Sequence, residues 1–174
     1  VYNIYVQDNE VYVVGYPTLN GCYWKLSDRN ESLVQVPALN WSNDIFVSGA
    51  DVYLSGNKEQ IARYTKNGTA VDLTTGTGSA YCSVIFVSGS DIYTAGGEEG
   101  PDGNYVAKYW KNGNLTNLTD GSNDTNINAI FVLNEKVYIA GTDGDFPLLW
   151  QDDKLVKFPK EGAANGVFVV DRPK

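Results

Sequence analysis

The feature that most constrains this chain is a short apolar motif that returns along its whole length. The motif is a triplet with an aromatic centre between aliphatic residues, and it recurs at intervals of about 40 residues. Its five copies are Ile4-Tyr5-Val6, Ile45-Phe46-Val47, Ile85-Phe86-Val87, Ile130-Phe131-Val132 and Val167-Phe168-Val169. A period of this length indicates that one small structural unit is repeated and stacked on itself.

Three further segments follow each of the first four triplets, and all have the composition of β-strands. The second segment is an apolar-Tyr-apolar string that ends in glycine, at 11–15, 52–56, 92–96 and 137–141. The third segment is aromatic, and in two units it runs into Asn-Gly, as at Asn67-Gly68. Asn-Gly is the strongest short-range signal of a β-hairpin, because both residues tolerate positive φ. A fourth strand is therefore expected after each third segment.

These segments predict the fold class and the domain organisation. No stretch carries apolar residues at the spacing of an amphipathic helix. We predict an all-β fold, a β-propeller with four recognisable four-stranded antiparallel blades of about 40 residues each. The whole chain, 1–174, is one domain, with repeats over approximately 4–44, 45–84, 85–129 and 130–166 and a closing strand at 167–170.

The repeat count leaves three ways of closing the propeller. A strand at 167–170 that pairs beside residues 1–6 would give a closed four-bladed ring. Four blades could also form an open arc, whose exposed edges a second copy would cover, giving a homodimer. The chain could finally be the C-terminal part of a larger propeller, which the absence of Met and a start within a strand favour.

Charge and residue content exclude several functional classes. There are 21 acidic residues against 13 basic ones, and the net charge of −8 opposes binding to nucleic acid and to anionic membrane surfaces. No apolar run approaches the roughly 20 residues of a membrane-spanning helix. The sequence has no His, which removes the commonest general base and metal ligand. We therefore expect no nucleic-acid partner, no membrane insertion and no enzymatic activity.

Two aromatic residues are candidates for ligand binding. Trp41 and Tyr81 stand at the same position, four residues before their triplets, in the segments that connect consecutive units. Those segments and the loops between second and third strands share one face of a propeller. The loops are at 16–20, 57–60, 97–104 and 142–146. An aromatic ring on this face can stack on a sugar, although it can equally be a wedge between blades.

Acidic residues on the same face are further candidates. Glu98, Glu99 and Asp102 lie in the longest loop, and Asp143 and Asp145 lie in the corresponding loop of the next unit. Carboxylates accept hydrogen bonds from sugar hydroxyls, and at this density they could hold calcium. Paired carboxylates are also what a glycan-cleaving enzyme requires. Neither loop has the acidic spacing of a twelve-residue calcium loop, so we expect no cofactor, with calcium as the alternative.

The two cysteines do not form a metal motif. Cys22 opens a third strand and Cys82 lies between two units, with no CxxC spacing. We expect two buried thiols, and a disulfide between units that are not neighbours is the alternative.

The full repeat has the form Ile-Phe-Val-Ser-Gly-x-Asp-Val-Tyr, then Tyr-Trp-Lys-Asn-Gly, then Leu-Thr-Asp-Gly. Over nearly the whole chain it resembles the repeats of uncharacterised bacterial secreted or lipid-anchored propeller proteins. The resemblance implies a propeller and a location outside the cytoplasm, in the extracellular space or the cell envelope, and it implies no reaction. We expect a non-catalytic binding module with a carbohydrate or a protein as its ligand. A protein-interaction scaffold is the main alternative, and a glycan-cleaving enzyme is the third.

Overall fold

The structure is a computed structural model, and it describes residues 3–15, 20–28, 30–152 and 154–171. These residues form four separate four-stranded antiparallel sheets, each from consecutive strands paired in chain order. They contain no helix, and so none that could cross a membrane. The all-β, propeller-like architecture of repeated blades is thus confirmed. Most of the loop at 16–20 lies outside the described residues.

Sixteen strands make up the four blades. Blade 1 contains β1 (Asn3–Gln7), β2 (Glu10–Gly15), β3 (Gly21–Ser27) and β4 (Asn30–Val36). Blade 2 contains β5 (Trp41–Ser48), β6 (Asp51–Lys58), β7 (Ile61–Lys66) and β8 (Thr69–Asp72). Blade 3 contains β9 (Ala80–Ser88), β10 (Asp91–Glu99), β11 (Tyr105–Lys111) and β12 (Asn114–Asn117). Blade 4 contains β13 (Thr125–Leu133), β14 (Lys136–Asp143), β15 (Phe146–Gln151) and β16 (Lys154–Lys157).

The Asn-Gly turns form as their sequence requires. Asn67 and Gly68 have φ values of 50° and 81°, which fit the turn that connects two twisted antiparallel strands. The Asn67 side chain also accepts a hydrogen bond from the Val52 amide at 2.9 Å, and Asn112 does the same for Ile92 at 2.8 Å. Each turn is therefore tied to the second strand of its own blade.

The first strands of the blades lie side by side and define the inner wall. Strand β5 contacts β1, β9 contacts β5, and β13 contacts β9. The central residues of the triplets form a continuous row of rings, with centroids 4.8 to 5.3 Å apart, that we call the aromatic ladder. Its members are Tyr5, Phe46, Phe86, Phe131 and, at 5.1 Å from Phe131, Phe168. The triplets recur because each blade repeats this contact with its neighbour.

The structure differs from the prediction at 167–170. These residues form no strand and pair with no other strand of the described chain, and no sheet closes into a ring. In blades 1 to 4 the triplet pairs with a second strand, whereas no strand of the described residues pairs with this copy. Phe168 therefore ends the ladder with 77% of its surface exposed.

Cores form between blades as well as within them. Trp110 of blade 3 is completely buried and clusters with Ala62 of blade 2 and with Ala80 and Cys82 of its own blade. Both cysteines are buried and unpaired, and burial raises the pKa of Cys82 to about 12. Trp110, the copy of the recurring third-strand tryptophan in blade 3, is thus a packing residue, and the small side chain of Ala62 in blade 2 leaves space for it.

Candidate functional site

Trp41 and Tyr81 border a single depression. They lie at or next to the start of inner strands β5 and β9, within strands instead of in the connections that the sequence suggested. The depression has a volume of about 430 Å³ and is lined also by Asn43, Asn57, Ser83, Val84, Ile127 and Asn128. Trp41 is 44% exposed, whereas Tyr81 is half-buried. We call this cavity the aromatic depression.

Glycines opposite these residues hold the inner strands close to the second strands. A Cβ atom on Gly56 would lie 1.9 Å from the Trp41 carbonyl oxygen, and one on Gly96 would lie 2.0 Å from that of Tyr81. Gly141 has the same relation to Asn126 in blade 4, at 2.4 Å. The glycine two or three residues before the end of the second strand in blades 2, 3 and 4 therefore serves a close backbone approach. This approach fixes the backbone that carries Trp41 and Tyr81.

Each of the same three inner strands contains a β-bulge. One residue is skipped in the pairing between Ser42 and Asp44, and the same irregularity occurs in β9 and β13. The skipped residues are Asn43, Ser83 and Asn128. A bulge turns a side chain away from its regular direction and is common beside binding sites. All three bulge residues line the aromatic depression.

The bulge asparagines connect their inner strands to the segment that follows in the next unit. Asn43 donates a hydrogen bond from Nδ2 to the Cys82 carbonyl at 2.9 Å, and Asn128 donates to the Ala164 carbonyl at 3.0 Å. These contacts orient each amide while leaving its oxygen as an acceptor. Sequence reasoning missed both residues. The only signal was an Asn two residues before the triplet, a position that the strand alternation does not distinguish.

Tyr81 is held by two contacts with its surroundings. Its hydroxyl donates to Asn126 Oδ1 at 3.1 Å, and its ring lies 5.1 Å from that of Tyr105. Burial, followed by the negative charge of Asp124 and the nearby Tyr105, raises the pKa of Tyr81 above its usual range. The ring is therefore a neutral, fixed wall of the depression, and Trp41 is its more accessible partner.

A second cavity adjoins the depression and shares Asn43, Ser83, Val84 and Asn128 with it. This axial cavity has a volume of about 320 Å³ and lies between the inner strands. Its one acidic residue among those described is Asp44, which is 7% exposed. The Asp44 carboxylate accepts hydrogen bonds from the amides of Ile45 at 2.8 Å and Ile85 at 2.9 Å and from Asn3 Nδ2. Asp44 thereby ties blades 1, 2 and 3 together.

Asp44 gives the stability of the protein a distinctive pH dependence. Burial raises the pKa of its carboxyl, although the hydrogen bonds from Ile85, Asn3 and Ile45 oppose the increase. The folded state then holds the proton more tightly than the unfolded chain, whose Asp pKa is about 3.9. The contribution of Asp44 is therefore lost as the pH rises from about 4 through the raised pKa.

We expect the free energy of unfolding of the wild type to fall relative to that of Asp44→Asn as the pH rises over that interval. Urea unfolding of both proteins at several pH values measures this difference. Asp120→Asn is the control, because a hydrogen bond from the Ser122 amide lowers the pKa of Asp120 and gives the opposite trend. A difference for Asp44 that stays constant or grows with pH would contradict the assignment.

The acidic candidates lie apart from the two aromatic residues. Glu98 and Glu99 line a cavity of about 730 Å³ together with Gln60, Ser79, Lys108 and Asn117. The Glu98 carboxylate forms an ion pair with Lys108 on the neighbouring strand. The lining of this cavity contains no aromatic side chain among the described residues. It therefore offers hydrogen bonds but no surface on which a sugar ring could stack.

The remaining acidic candidates line neither the aromatic depression nor the cavity of Glu98 and Glu99. Asp143 lines a fourth cavity, of about 550 Å³, and accepts a hydrogen bond from Lys157 Nζ at 2.7 Å. Asp102 and Asp145 are exposed on turns and line none of these four cavities. Within the part of the chain that the structure describes, no three acidic or cysteine side chains form a group that could hold a metal ion. Calcium binding remains a prediction from the acidic loops.

Comparisons with known proteins give the fold and no activity. No family model matches the chain, and no curated protein matches its sequence. The structure is similar to the crystal structure of the computationally designed Ika8 protein, with a TM-score of 0.57 and 14% sequence identity. The match covers 98% of this chain and 52% of that chain, so this chain spans about half the length of the designed protein. At this identity the similarity concerns the fold alone.

Proposed function

We propose that the chain is a non-catalytic binding module that recognises carbohydrate through the aromatic depression. The observation that carries the proposal is the exposed face of Trp41 beside a fixed Tyr81, in a cavity lined by amide side chains. A sugar offers C–H faces that stack on aromatic rings and hydroxyl groups that need acceptors. The depression supplies both kinds of contact.

The lining also favours neutral glycans over acidic ones. Among the described residues, the depression has no Lys or Arg that could pair with a sugar carboxylate or sulfate. The net charge of the chain is −8, which repels anionic ligands at long range. The Nδ2 atoms of Asn43 and Asn128 bond to the carbonyls of Cys82 and Ala164, which leaves the amide oxygens to serve as acceptors. We therefore propose a neutral, hydroxyl-rich sugar as the ligand class.

A glycan array with the purified chain and a Trp41→Ala, Tyr81→Ala double variant tests the proposal. We expect selective binding to neutral glycans by the wild type and at least a tenfold loss in the double variant, since each stacking contact contributes about 1 kcal/mol. Leu115→Ala is the matched control, because Leu115 is similarly exposed on the outer strand β12 and lies outside the depression. Equal binding by the wild type and the double variant, or no binding by a folded wild type, would refute the proposal.

A protein-interaction scaffold is the second candidate, and a surface feature favours it. The outer strands of the blades each expose a large aliphatic side chain: Leu33, Val71, Leu115 and Leu155. We propose that these exposed apolar residues, one on the outer strand of each blade, provide repeated contacts for another polypeptide. The partner class would be a protein or, if the arc pairs with itself, a second copy. A loss of partner binding in Leu115→Ala with glycan binding absent would support this alternative.

The cellular location that we propose is the extracellular space or the cell envelope. The support for it is the resemblance of the repeat to those of secreted and lipid-anchored bacterial propeller proteins. A neutral glycan ligand is also consistent with a protein that works at a cell surface.

A further inference from the structure

We infer that the sugar ligand is at least a disaccharide, whose second unit occupies the axial cavity and donates hydrogen bonds to Asp44 and to the amide oxygens of Asn43 and Asn128. This inference rests on the proposed function, because it assigns a second subsite and a minimum chain length to the same ligand. Three features of the axial cavity carry it: its continuity with the aromatic depression, its size and its hydrogen-bonding groups.

The inner strands line the two cavities in layers. Trp41 and Tyr81, four residues before their triplets, line the aromatic depression and not the axial cavity. The three bulge residues, two positions before the triplets, line both. Asp44 and Ala129, directly before the triplets, line the axial cavity and not the depression. The bulge residues therefore join the stacking surface of Trp41 to the cavity that contains Asp44.

The axial cavity has room for one further sugar unit. Its volume of about 320 Å³ corresponds to about ten water molecules at roughly 30 Å³ each, which is enough for one hexose and part of its water. Small side chains provide this space, because Ala129 and Val84 stand where blade 2 has Asp44. Ala129 is the smallest of the three, and a larger side chain at this position would occupy the cavity.

The axial cavity presents hydrogen-bond acceptors that lack donors. Asp44 Oδ2 accepts from the Ile85 amide at 2.9 Å, and a carboxylate oxygen can accept a second hydrogen bond. The Oδ1 atoms of Asn43 and Asn128 accept no hydrogen bond from the described residues, whereas their Nδ2 atoms already donate to backbone carbonyls. The described lining contains no Lys or Arg that could supply the missing donors. The ligand unit in this cavity must therefore supply them.

Sugar hydroxyls are the donors that fit this set of groups. A hydroxyl both donates and accepts, so it can bond to the amide oxygens and to the Asp44 carboxyl with or without its proton. A hydroxyl is also uncharged, so its burial needs no counter-charge. Because a site that hydrogen-bonds a hydroxyl discriminates strongly against ligands that lack it, the axial cavity should make binding depend on the second sugar unit.

The test is an array of the mono-, di- and trisaccharides of glucose, galactose, mannose and N-acetylglucosamine, with calorimetric titration of the strongest pair. We expect the wild type to bind at least one disaccharide at least tenfold more tightly than its monosaccharide. Ala129→Leu should bind the monosaccharide as the wild type does and should lose the preference for the disaccharide. Ala70→Leu is the matched control, because Ala70 is exposed on the outer strand β8 and lines neither cavity, and it should keep the preference.

A second variant and a direct readout accompany this comparison. Asp44→Asn replaces an acceptor without adding volume and should also reduce the preference, and unfolding midpoints establish that both variants are folded. The amides of Ile45 and Ile85 donate to Asp44 at 2.8 and 2.9 Å. We expect their signals in amide NMR spectra of the wild type to shift when the disaccharide binds.

The outcomes separate this inference from the proposed function. Equal affinity for the disaccharide and its monosaccharide, with binding that still requires Trp41 and Tyr81, would overturn the inference and leave the proposed function standing. The same conclusion would follow if folded Ala129→Leu and Asp44→Asn both kept the full preference. No binding of any neutral glycan by the folded wild type would refute the proposed function and the inference together.

Discussion

Replacing Gly96 with alanine is expected to lower the free energy of unfolding by about 3 kcal/mol, the upper part of the range for overpacked sites. The added Cβ would meet the Tyr81 carbonyl oxygen at 2.0 Å and the Cys82 Cα at 2.9 Å. Both are backbone atoms of the neighbouring strand β9 and cannot rotate away. Alanine is otherwise more favourable than glycine in a strand, so this collision alone makes the substitution destabilising.

Chemical denaturation of the wild type and Gly96→Ala measures the effect, and Gly166→Ala is the matched control. A Cβ atom on Gly166 would meet no atom of another segment within 4 Å, and the residue has no positive φ. Its replacement should therefore change stability by less than about 0.5 kcal/mol. Similar stabilities for the two alanine variants would show that β9 and β10 are not held as closely as the structure has them. If the approach also positions Tyr81, Gly96→Ala should weaken glycan binding in the fraction that stays folded.

Truncation of Trp110 to alanine is expected to cost about 4 kcal/mol, as is usual for a fully buried tryptophan. Its side chain fills the contact between blades 2 and 3, against Ala62, Ala80 and Cys82. Alanine would leave a large void among residues that are themselves small. The surrounding backbone belongs to two sheets and can collapse only in part.

Trp110→Phe separates the packing of this residue from its polar group. The indole Nε1 is buried and has no hydrogen-bond partner among the described residues, so phenylalanine removes an unsatisfied donor while keeping most of the ring. We expect a loss of less than about 2 kcal/mol for this variant. Trp24→Ala, at the equivalent position in blade 1, is the second comparison, and its half-buried ring predicts a smaller loss than Trp110→Ala. Equal losses for Trp110→Phe and Trp110→Ala would contradict this account, and urea unfolding gives all three values.

The repeat makes the sheets predictable, because triplet, second strand and Asn-Gly turn each follow from local chemistry. The start of the inner strands is not predictable in the same way. The sequence pattern puts Trp41 in a connection, whereas it begins β5, since a bulge at Asn43 interrupts the alternation on which that prediction rests. The recurrence of Gly56 and Gly96 is visible in the sequence, but its cause, a carbonyl on another strand, depends on the pairing of the strands.

The surroundings of the acidic candidates are likewise not predictable from the neighbouring sequence. The sequence assigns Glu98 and Asp143 to equivalent loops, where their shared charge suggests a common site, but the structure places them at the ends of second strands β10 and β14. In the structure they line different cavities, and each is paired with a lysine that reaches it across its own sheet, Lys108 and Lys157 respectively. Those pairings follow from strand register, which composition does not encode. The two aromatic candidates come together because they occupy equivalent positions in adjacent blades.

The aromatic ladder means that the protein behaves energetically as a one-dimensional array. Among the described residues, the contacts between inner strands join consecutive blades, so total stability is close to a sum of blade energies and nearest-neighbour coupling energies. A defect in blade 3 therefore weakens the couplings to blades 2 and 4, whereas the contact between blades 1 and 2 is not directly affected. Amide hydrogen exchange in blades 2 and 4 should accordingly respond more strongly to such a defect than exchange in blade 1.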